Sequence, residues 1–98
     1  MDIQAITESL RAKTGEDSGL NAVLKFDLGA DGVVVIDGKS EPNQVDNTDR
    51  DADCTITVAR ENLVALMSGE LNAMNAFMTG KIKVAGDMGV AMKLQKVM

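Results

Sequence analysis

Apolar residues recur at every second position in several short stretches of this chain, and this alternation constrains its fold more than any other feature. Over residues 21–28, one face of the alternating pattern carries Ala22, Leu24, Phe26 and Leu28. A period of two is typical of a strand that buries one face. The stretch 33–37 is rich in β-branched residues and follows a tight turn, so it is predicted to pair with the first strand as a hairpin.

The alternation returns twice more along the chain. Residues 53–58 and 81–84 each place apolar side chains on one face and polar side chains on the other. The stretch 37–52 is rich in aspartate and turn-forming residues, and it allows at most a short strand around 44–47. Four strands are therefore predicted, and a fifth can lie only at residues 44–47.

Apolar residues at helical spacing predict four helices around these strands. Ile3, Ile6 and Leu10 recur at this spacing before a glycine that can end the helix. Further helices are predicted from about residue 60, and after caps at Asn72 and Asp87. Short turns between adjacent strands imply antiparallel pairing. The predicted class is therefore α/β, of the α+β type, with helices packed on one face of the sheet.

Composition and motif spacing exclude several classes of function. A chain of 98 residues builds one core, so residues 1–98 are predicted to form a single domain. There is no histidine, which is the commonest general base and metal ligand at neutral pH. The net charge of −5 argues against nucleic-acid binding. The run 49–53 does not continue as a calcium loop, and 38–40 lacks the first glycine of a phosphate-binding loop. We therefore predict no enzyme, no metal and no cofactor.

Cys54 is the only cysteine, and it lies on the apolar face of a predicted strand, where it is interpreted as a small buried hydrophobe. No internal disulfide, secretory signal, membrane span or peroxisomal address is recognised, so the cytoplasm is the expected location. From Lys81 onwards there are four lysines and one acidic residue. These lysines are interpreted as solvated edges, with a transient contact at a membrane surface left open as the alternative.

Six of the seven methionines lie in the last third of the chain. The whole chain has only two aromatic residues, Phe26 and Phe77, to fill its core. Five of the six are predicted to face inward on three helices: Met67, Met74, Met78, Met88 and Met92. Methionine fills irregular gaps in cores, and this is one interpretation. Methionine also packs adaptably around ligands of different shape, and this is the other. Composition alone leaves both open.

The order of residues resembles the sterol carrier protein family over about residues 20–98. The matching pieces are 26–29, Gly32, 53–56, 61–72, 76–87 and 91–94. The most specific piece is 76–87, where a helix with a phenylalanine is followed by Gly-Lys, an alternating strand and Gly-Asp. Each piece is short, and their combined order carries the resemblance.

The resemblance implies a five-stranded, mainly antiparallel sheet covered on one face by helices, with a hydrophobic tunnel between them. It also implies non-catalytic binding of a sterol, fatty acid, fatty acyl-CoA or phospholipid. The expected lining residues are Phe26, Met67, Met74, Phe77, Met78, Ile82, Val84, Met88, Met92 and Leu94. An acidic headgroup would meet Lys81, Lys83 or Lys93 at the mouth.

Two alternatives to a free lipid carrier stay open. One is a non-enzymatic interaction module of the same fold with a collapsed core, acting with a separate lipid-metabolising enzyme. The other is a lipid-presenting domain of an enzyme. The sequence does not distinguish a monomer from a homodimer formed through the Met-rich surface.

Overall fold

The computed structural model of the chain describes residues 2–93. Within this range the elements are α1 (Ile3–Thr14), β1 (Val23–Asp27), β2 (Val33–Asp37), β3 (Gln44–Asp46), β4 (Cys54–Val58), α2 (Arg60–Ser68), α3 (Ala73–Met78), β5 (Ile82–Gly86) and α4 (Met88–Met92). The four predicted helices and the short strand near residue 44 are therefore confirmed. A single 3-10 turn, Gly29–Asp31, joins β1 to β2.

The five strands form one sheet in the order β3-β2-β1-β4-β5. Three pairs are antiparallel, whereas β1 and β4 run parallel, with Leu24 opposite Cys54 and Phe26 opposite Ile56. The predicted mainly antiparallel sheet is confirmed, and the parallel pair is what the sequence did not reveal. Asp53 extends this pair. Its N–H donates to the Val23 carbonyl at 2.9 Å, and its carboxylate accepts from the Val23 N–H at 2.8 Å.

Parallel neighbours need a crossover connection, and the polar stretch after β3 supplies part of it. Lys25 alternates with the core-facing residues of β1, so its side chain lies on the face away from the helices. There its Nζ donates to the Asp49 carboxylate and to the Arg50 carbonyl, both at 2.9 Å. Val35, which pairs with Lys25, is fully buried on this same face. The polar stretch between β3 and β4, residues 47–53, therefore crosses the back of the sheet, and it is called the strap below.

The core lies between the other face of the sheet and the helices. Phe26 is the one buried aromatic residue among residues 2–93, and aliphatic side chains from all four helices surround the strands. The buried helix residues of this cluster are Ile6, Leu10, Leu63, Leu66, Ala76 and Val90. Cys54 is fully buried in the cluster, as predicted. Burial, and secondarily the charge of Asp87, raises the pKa of its thiol, so the side chain packs as a hydrophobe.

Two predicted caps fix the short helices α3 and α4. The side chain of Asn72 accepts from the N–H groups of Met74 and Asn75, at 2.9 and 3.3 Å. The Asp87 carboxylate accepts from the Gly89 N–H at 2.7 Å. Such caps satisfy backbone donors that have no partner within the helix. They hold both helices beside the edge strand β5.

Candidate functional site

An apolar groove of about 310 Å³ lies between α3 and α4, above the strand pair β4–β5. Its lining residues are Ile56, Ala73, Met74, Phe77, Ile82, Val84, Met88, Ala91 and Met92. All nine are apolar. The groove is therefore suited to hydrocarbon, since a polar ligand would lose its hydrogen bonds to water there without replacement.

The floor of the groove follows from the register of β4 and β5. Ile56 stands opposite Val84, so the two side chains leave the same face of the sheet as neighbours. Ile82, two residues before Val84, shares that face. Ile56 and Ile82 are buried and Val84 is half-buried. The strands thus supply a rigid, β-branched base.

The two walls share one sequence pattern. Each short helix carries apolar residues at positions i, i+3 and i+4, which lie on one helical face. These are Met74, Phe77 and Met78 on α3, and Met88, Ala91 and Met92 on α4. On the opposite side of each helix a single small or β-branched residue, Ala76 or Val90, is buried in the core. Each helix is thus anchored in the core by one buried residue, and its stripe of apolar side chains faces the groove and the solvent.

The methionines of these walls are exposed. Met74, Met78, Met88 and Met92 have exposed fractions of 61%, 76%, 52% and 75%, and Phe77 has 46%. These four methionines therefore do not fill the core: Met74, Met88 and Met92 border the groove, and Met78 lies outside it. Helices of six and five residues bury only one side chain each, Ala76 and Val90, and their larger apolar side chains border the groove or the solvent.

Six of the ten residues predicted from the sequence meet in this groove. They are Met74, Phe77, Ile82, Val84, Met88 and Met92. Phe26 lies instead in the centre of the core, Met67 is half-buried against the core on α2, and Met78 is exposed outside the lining. Leu94 lies outside the described residues.

Sequence reasoning missed three lining residues, Ile56, Ala73 and Ala91. Ile56 was recognised as a core-facing strand residue, but its place in the floor depends on the pairing of β4 with β5. The two alanines are small enough to leave space between the helices, and short side chains give no signal in a search for apolar bulk. The cross-strand alternation of β4 and β5 was the one signal that pointed to Ile56.

The lysines near the groove differ in their orientation. Ile82 and Val84 face the groove, so Lys83 lies on the opposite face of β5. Lys81 is exposed at the junction of α3 and β5. Lys93 follows Met92 directly, is half-buried, and its Nζ lies 3.4 Å from the Leu20 carbonyl oxygen. Lys93 is thus next to the lining in sequence, but its ammonium is directed to the connection between α1 and β1.

A second cavity, of about 620 Å³, lies at the other end of the sheet between the α1–β1 and β2–β3 connections. Its lining mixes acidic, amide and glycine residues with Lys39, which forms an ion pair with Asp53 at 3.0 Å. Within residues 2–93, no group of three or more histidine, cysteine, aspartate or glutamate residues is arranged to hold a metal ion. No helix in the same range is long and apolar enough to cross a bilayer.

Comparison with known proteins matches the SCP-2 sterol transfer family to residues 3–98 of this chain. Sterol carrier protein 2 of Oryctolagus cuniculus is 47% identical over 70 residues, which cover 70% of this chain and 13% of the rabbit protein. The chain therefore matches only a small part of that relative's length.

Two solved structures of one mosquito protein share the fold along nearly all of both chains. The crystal structure of sterol carrier protein 2 like 2 from Aedes aegypti has a TM-score of 0.77 at 26% identity, covering 98% of this chain and 95% of that chain. The solution structure of the palmitated form of that protein has a TM-score of 0.70 at 26% identity, covering 99% and 94%.

Proposed function

The chain belongs to the SCP-2 sterol transfer family, and from this premise we propose that it is a non-catalytic carrier that holds one alkyl chain of a lipid between α3 and α4. The observation that supports the proposal most directly is the all-apolar lining of the groove. Removing apolar surface from water gains about 0.8 kcal/mol for each CH₂ group. A chain of about ten methylenes therefore gains several kcal/mol after the costs of ordering it, with no specific polar contact.

The size of the groove favours a single acyl chain. Its volume of about 310 Å³ is at the lower end of the range of roughly 300–1,000 Å³ that ligand pockets span. A fatty acid or the acyl part of a fatty acyl-CoA suits this volume better than a sterol or a phospholipid with two chains. The palmitated Aedes aegypti protein supports the same class of ligand.

The headgroup of such a ligand would lie at the open side of the groove. Lys83 is not placed to meet it, because its side chain leaves the opposite face of β5. Lys93 follows the lining residue Met92, but its Nζ donates to the carbonyl of Leu20, and the neighbours of Leu20 line the other cavity. We therefore place the headgroup in solvent at the open side of the groove, without a specific lysine partner.

The alternative of an interaction module with a collapsed core predicts a filled space between the helices. The groove and its exposed methionine walls favour the carrier. Whether the chain acts alone or presents its ligand to an enzyme does not change the chemistry proposed for the groove, which is binding without covalent change.

Native mass spectrometry of the purified and of the delipidated chain tests the carrier proposal. We expect one palmitate to bind per chain, and we expect palmitate to displace a fluorescent fatty acid more effectively than cholesterol does. If no lipid co-purifies, and neither palmitate, palmitoyl-CoA, cholesterol nor phosphatidylcholine displaces the probe, the carrier proposal is wrong. If cholesterol displaces the probe better than palmitate, the assignment of the ligand class is wrong.

A further inference from the structure

Sulfur is concentrated in the walls of the groove between α3 and α4. Of the five methionines in residues 2–93, three line the groove: Met74, Met88 and Met92, here called the lining methionines. Leucine would supply similar hydrocarbon with a similar preference for helix, and it carries no atom that a mild oxidant attacks. The carrier function therefore accounts for the apolar character of these positions, but not for their sulfur.

The lining methionines are open to reagents dissolved in water. Each of the three has more than half of its surface exposed, whereas Met67 is half-buried against the core. An oxidant in water must reach the sulfur atom before it can react. Oxidation of the methionines in residues 2–93 is therefore directed to α3 and α4, where the groove lies.

The only thiol of the chain does not compete for the same oxidant. Cys54 is fully buried in the core, and its burial raises the pKa of the thiol. Peroxides react with the thiolate form of cysteine, so Cys54 is protected both by its position and by its proton. An oxidant that would normally react first with cysteine is left for the thioethers.

One equivalent of a hydroperoxide converts one thioether into a sulfoxide. The sulfur attacks the outer oxygen of the O–O bond, which breaks as the S–O bond forms, and the sulfur loses two electrons. The proton of the transferred oxygen passes to the leaving oxygen, which departs as water or as an alcohol. The side chain becomes polar and chiral. A polar group against hydrocarbon, without a hydrogen bond, is unfavourable, so each sulfoxide weakens the binding of an acyl chain.

We propose that the lining methionines form an oxidation site at which a hydroperoxide stops the groove from holding an acyl chain. The inference rests on the proposed carrier function, since it assigns a regulation to the same groove. A bound acyl chain covers the lining methionines, so the empty carrier is oxidised first. A sulfoxide reductase reverses the change with two thiols, which become a disulfide while the oxygen leaves as water. Oxidation thus withdraws unloaded carrier reversibly.

Met78 separates the oxidation of a methionine from its effect on the groove. It is the most exposed large apolar side chain in residues 2–93, yet it does not line the groove. We expect Met78 to be oxidised at a similar rate with and without bound ligand, and its sulfoxide to leave ligand affinity unchanged. Met78 is therefore the internal reference for the lining methionines.

Treatment of the delipidated chain with hydrogen peroxide, followed by peptide mass spectrometry, tests where oxidation occurs. We expect the lining methionines to react at rates within about threefold of the rate at Met78, and Met67 to react more than about fivefold more slowly. Saturating palmitate is expected to slow oxidation of the lining methionines by about fivefold or more, but that of Met78 by less than about twofold. If palmitate protects none of the lining methionines, or if Met67 reacts as fast as they do, the proposal is wrong.

Titration with a fluorescent fatty acid, before and after peroxide, tests the effect on the groove. The affinity of wild type is expected to fall by about tenfold or more, and to recover after treatment with sulfoxide reductases for both epimers and dithiothreitol. The triple variant Met74→Leu/Met88→Leu/Met92→Leu keeps an apolar lining without sulfur, so its affinities before and after peroxide should agree within about twofold. Met78→Leu is the matched control, and peroxide should lower its affinity as much as that of wild type.

The outcomes separate this inference from the carrier proposal. If wild type binds the fatty acid, and peroxide oxidises the lining methionines without lowering affinity, the oxidation proposal is wrong and the carrier proposal stands. An equal loss in the triple variant and in wild type, or a loss that is accompanied by unfolding in far-UV circular dichroism, also contradicts the oxidation proposal alone. If wild type binds no fatty acid before peroxide, both proposals are wrong. Recovery with the reductases needs no substitution, so it decides the question even if the triple variant does not fold.

Discussion

Met74 and Met78 lie one helical turn apart on α3, yet only Met74 lines the groove. The pair therefore offers a variant and its own control on one helix. In Met74→Gln, a side chain of similar length places an amide against the ligand's hydrocarbon, which displaces part of the water around the amide. Burying a polar group without a hydrogen bond costs about 1–3 kcal/mol, and the lower end applies here because Met74 is more than half exposed. We expect the affinity for a fluorescent fatty acid to fall about fivefold or more, as measured by titration in solution.

Met78→Gln makes the same chemical change outside the lining, so its affinity in that titration should stay within about twofold of wild type. Equal losses in the two variants would show that the effect does not depend on contact with the groove. The lining given by the structure would then be wrong.

Ala91 lies on the α4 wall, and filling the groove from this position should exclude ligand without harming the fold. Ala91→Leu adds hydrocarbon to a space that the protein leaves open. We expect fatty-acid affinity to fall about tenfold, while the free energy of unfolding of the ligand-free chain changes by less than about 1 kcal/mol. Fluorescence displacement and urea denaturation measure the two quantities.

Ala12→Leu is the matched control, because Ala12 is exposed on α1, far from the groove in the element order. It should leave ligand affinity unchanged. A normal affinity in Ala91→Leu would place the acyl chain somewhere other than between α3 and α4.

Gly86 joins β5 to the cap of α4 at a place where the backbone passes very close to β4. Its φ is +104°, and a Cβ there would lie 2.5 Å from the Asp53 carbonyl oxygen. The next N–H, that of Asp87, donates to the same carbonyl at 2.8 Å. We expect Gly86→Ala to lower the free energy of unfolding by about 3 kcal/mol, through strain together with the displaced strand.

Gly80→Ala separates the two causes. Gly80 also has a positive φ of +76°, but no atom lies within 4 Å of the position of its Cβ. The expected loss is about 1 kcal/mol, measured by the same urea denaturation. Similar losses in the two variants would remove the close approach to β4 as the reason for glycine at position 86.

Asp53 links stability to pH. The Val23 N–H and then the Lys39 ammonium hold the pKa of this carboxyl below its ordinary value of 3.8. The unfolded chain therefore takes up this proton at a higher pH than the folded chain does. The stabilisation is complete above the unfolded pKa and is lost as the pH falls through the folded one. In Asp53→Asn, the free energy of unfolding should decrease less steeply than in wild type as the pH falls below about 5, as urea titrations at each pH would show.

Asp51→Asn serves as the neighbouring control, because the Asp51 side chain forms no hydrogen bond or ion pair within residues 2–93. Its acid dependence should match that of wild type. A change in Asp51→Asn as large as that in Asp53→Asn would point to overall charge instead of the contact with Val23.

Local patterns predicted the elements of this fold well, because strands and helices here follow the two apolar periods closely. The parallel pairing of β1 with β4 could not be predicted in the same way. This pairing depends on the strap after β3, which is joined to β1 by the contact between Asp49 of the strap and Lys25, 24 positions earlier in the chain. Polar side chains in such a stretch look the same in sequence whether they cross a sheet or extend into water.

Only part of the site could be predicted, because local patterns fix the facing of strand residues better than that of residues on very short helices. Alternation in β5 identified Ile82 and Val84, and these two residues lie in the groove floor. On α3 and α4 the inward side could not be fixed, since helices of six and five residues contain barely more than one turn. Ala76 and Val90 take the core positions, and the larger methionines are left outside, contrary to the usual expectation for apolar bulk.

The position of β5 at the edge of the sheet has a consequence for how the chain is made. Eight of the nine lining residues belong to the stretch 73–92, and only Ile56 precedes it. During synthesis the strands β1 to β4 leave the ribosome first, with the outer edge of β4 still unpaired. Until β5 arrives, that edge and the side chain of Ile56 are open to other nascent chains. Completing the lipid site and closing this vulnerable edge are therefore one and the same late step of folding.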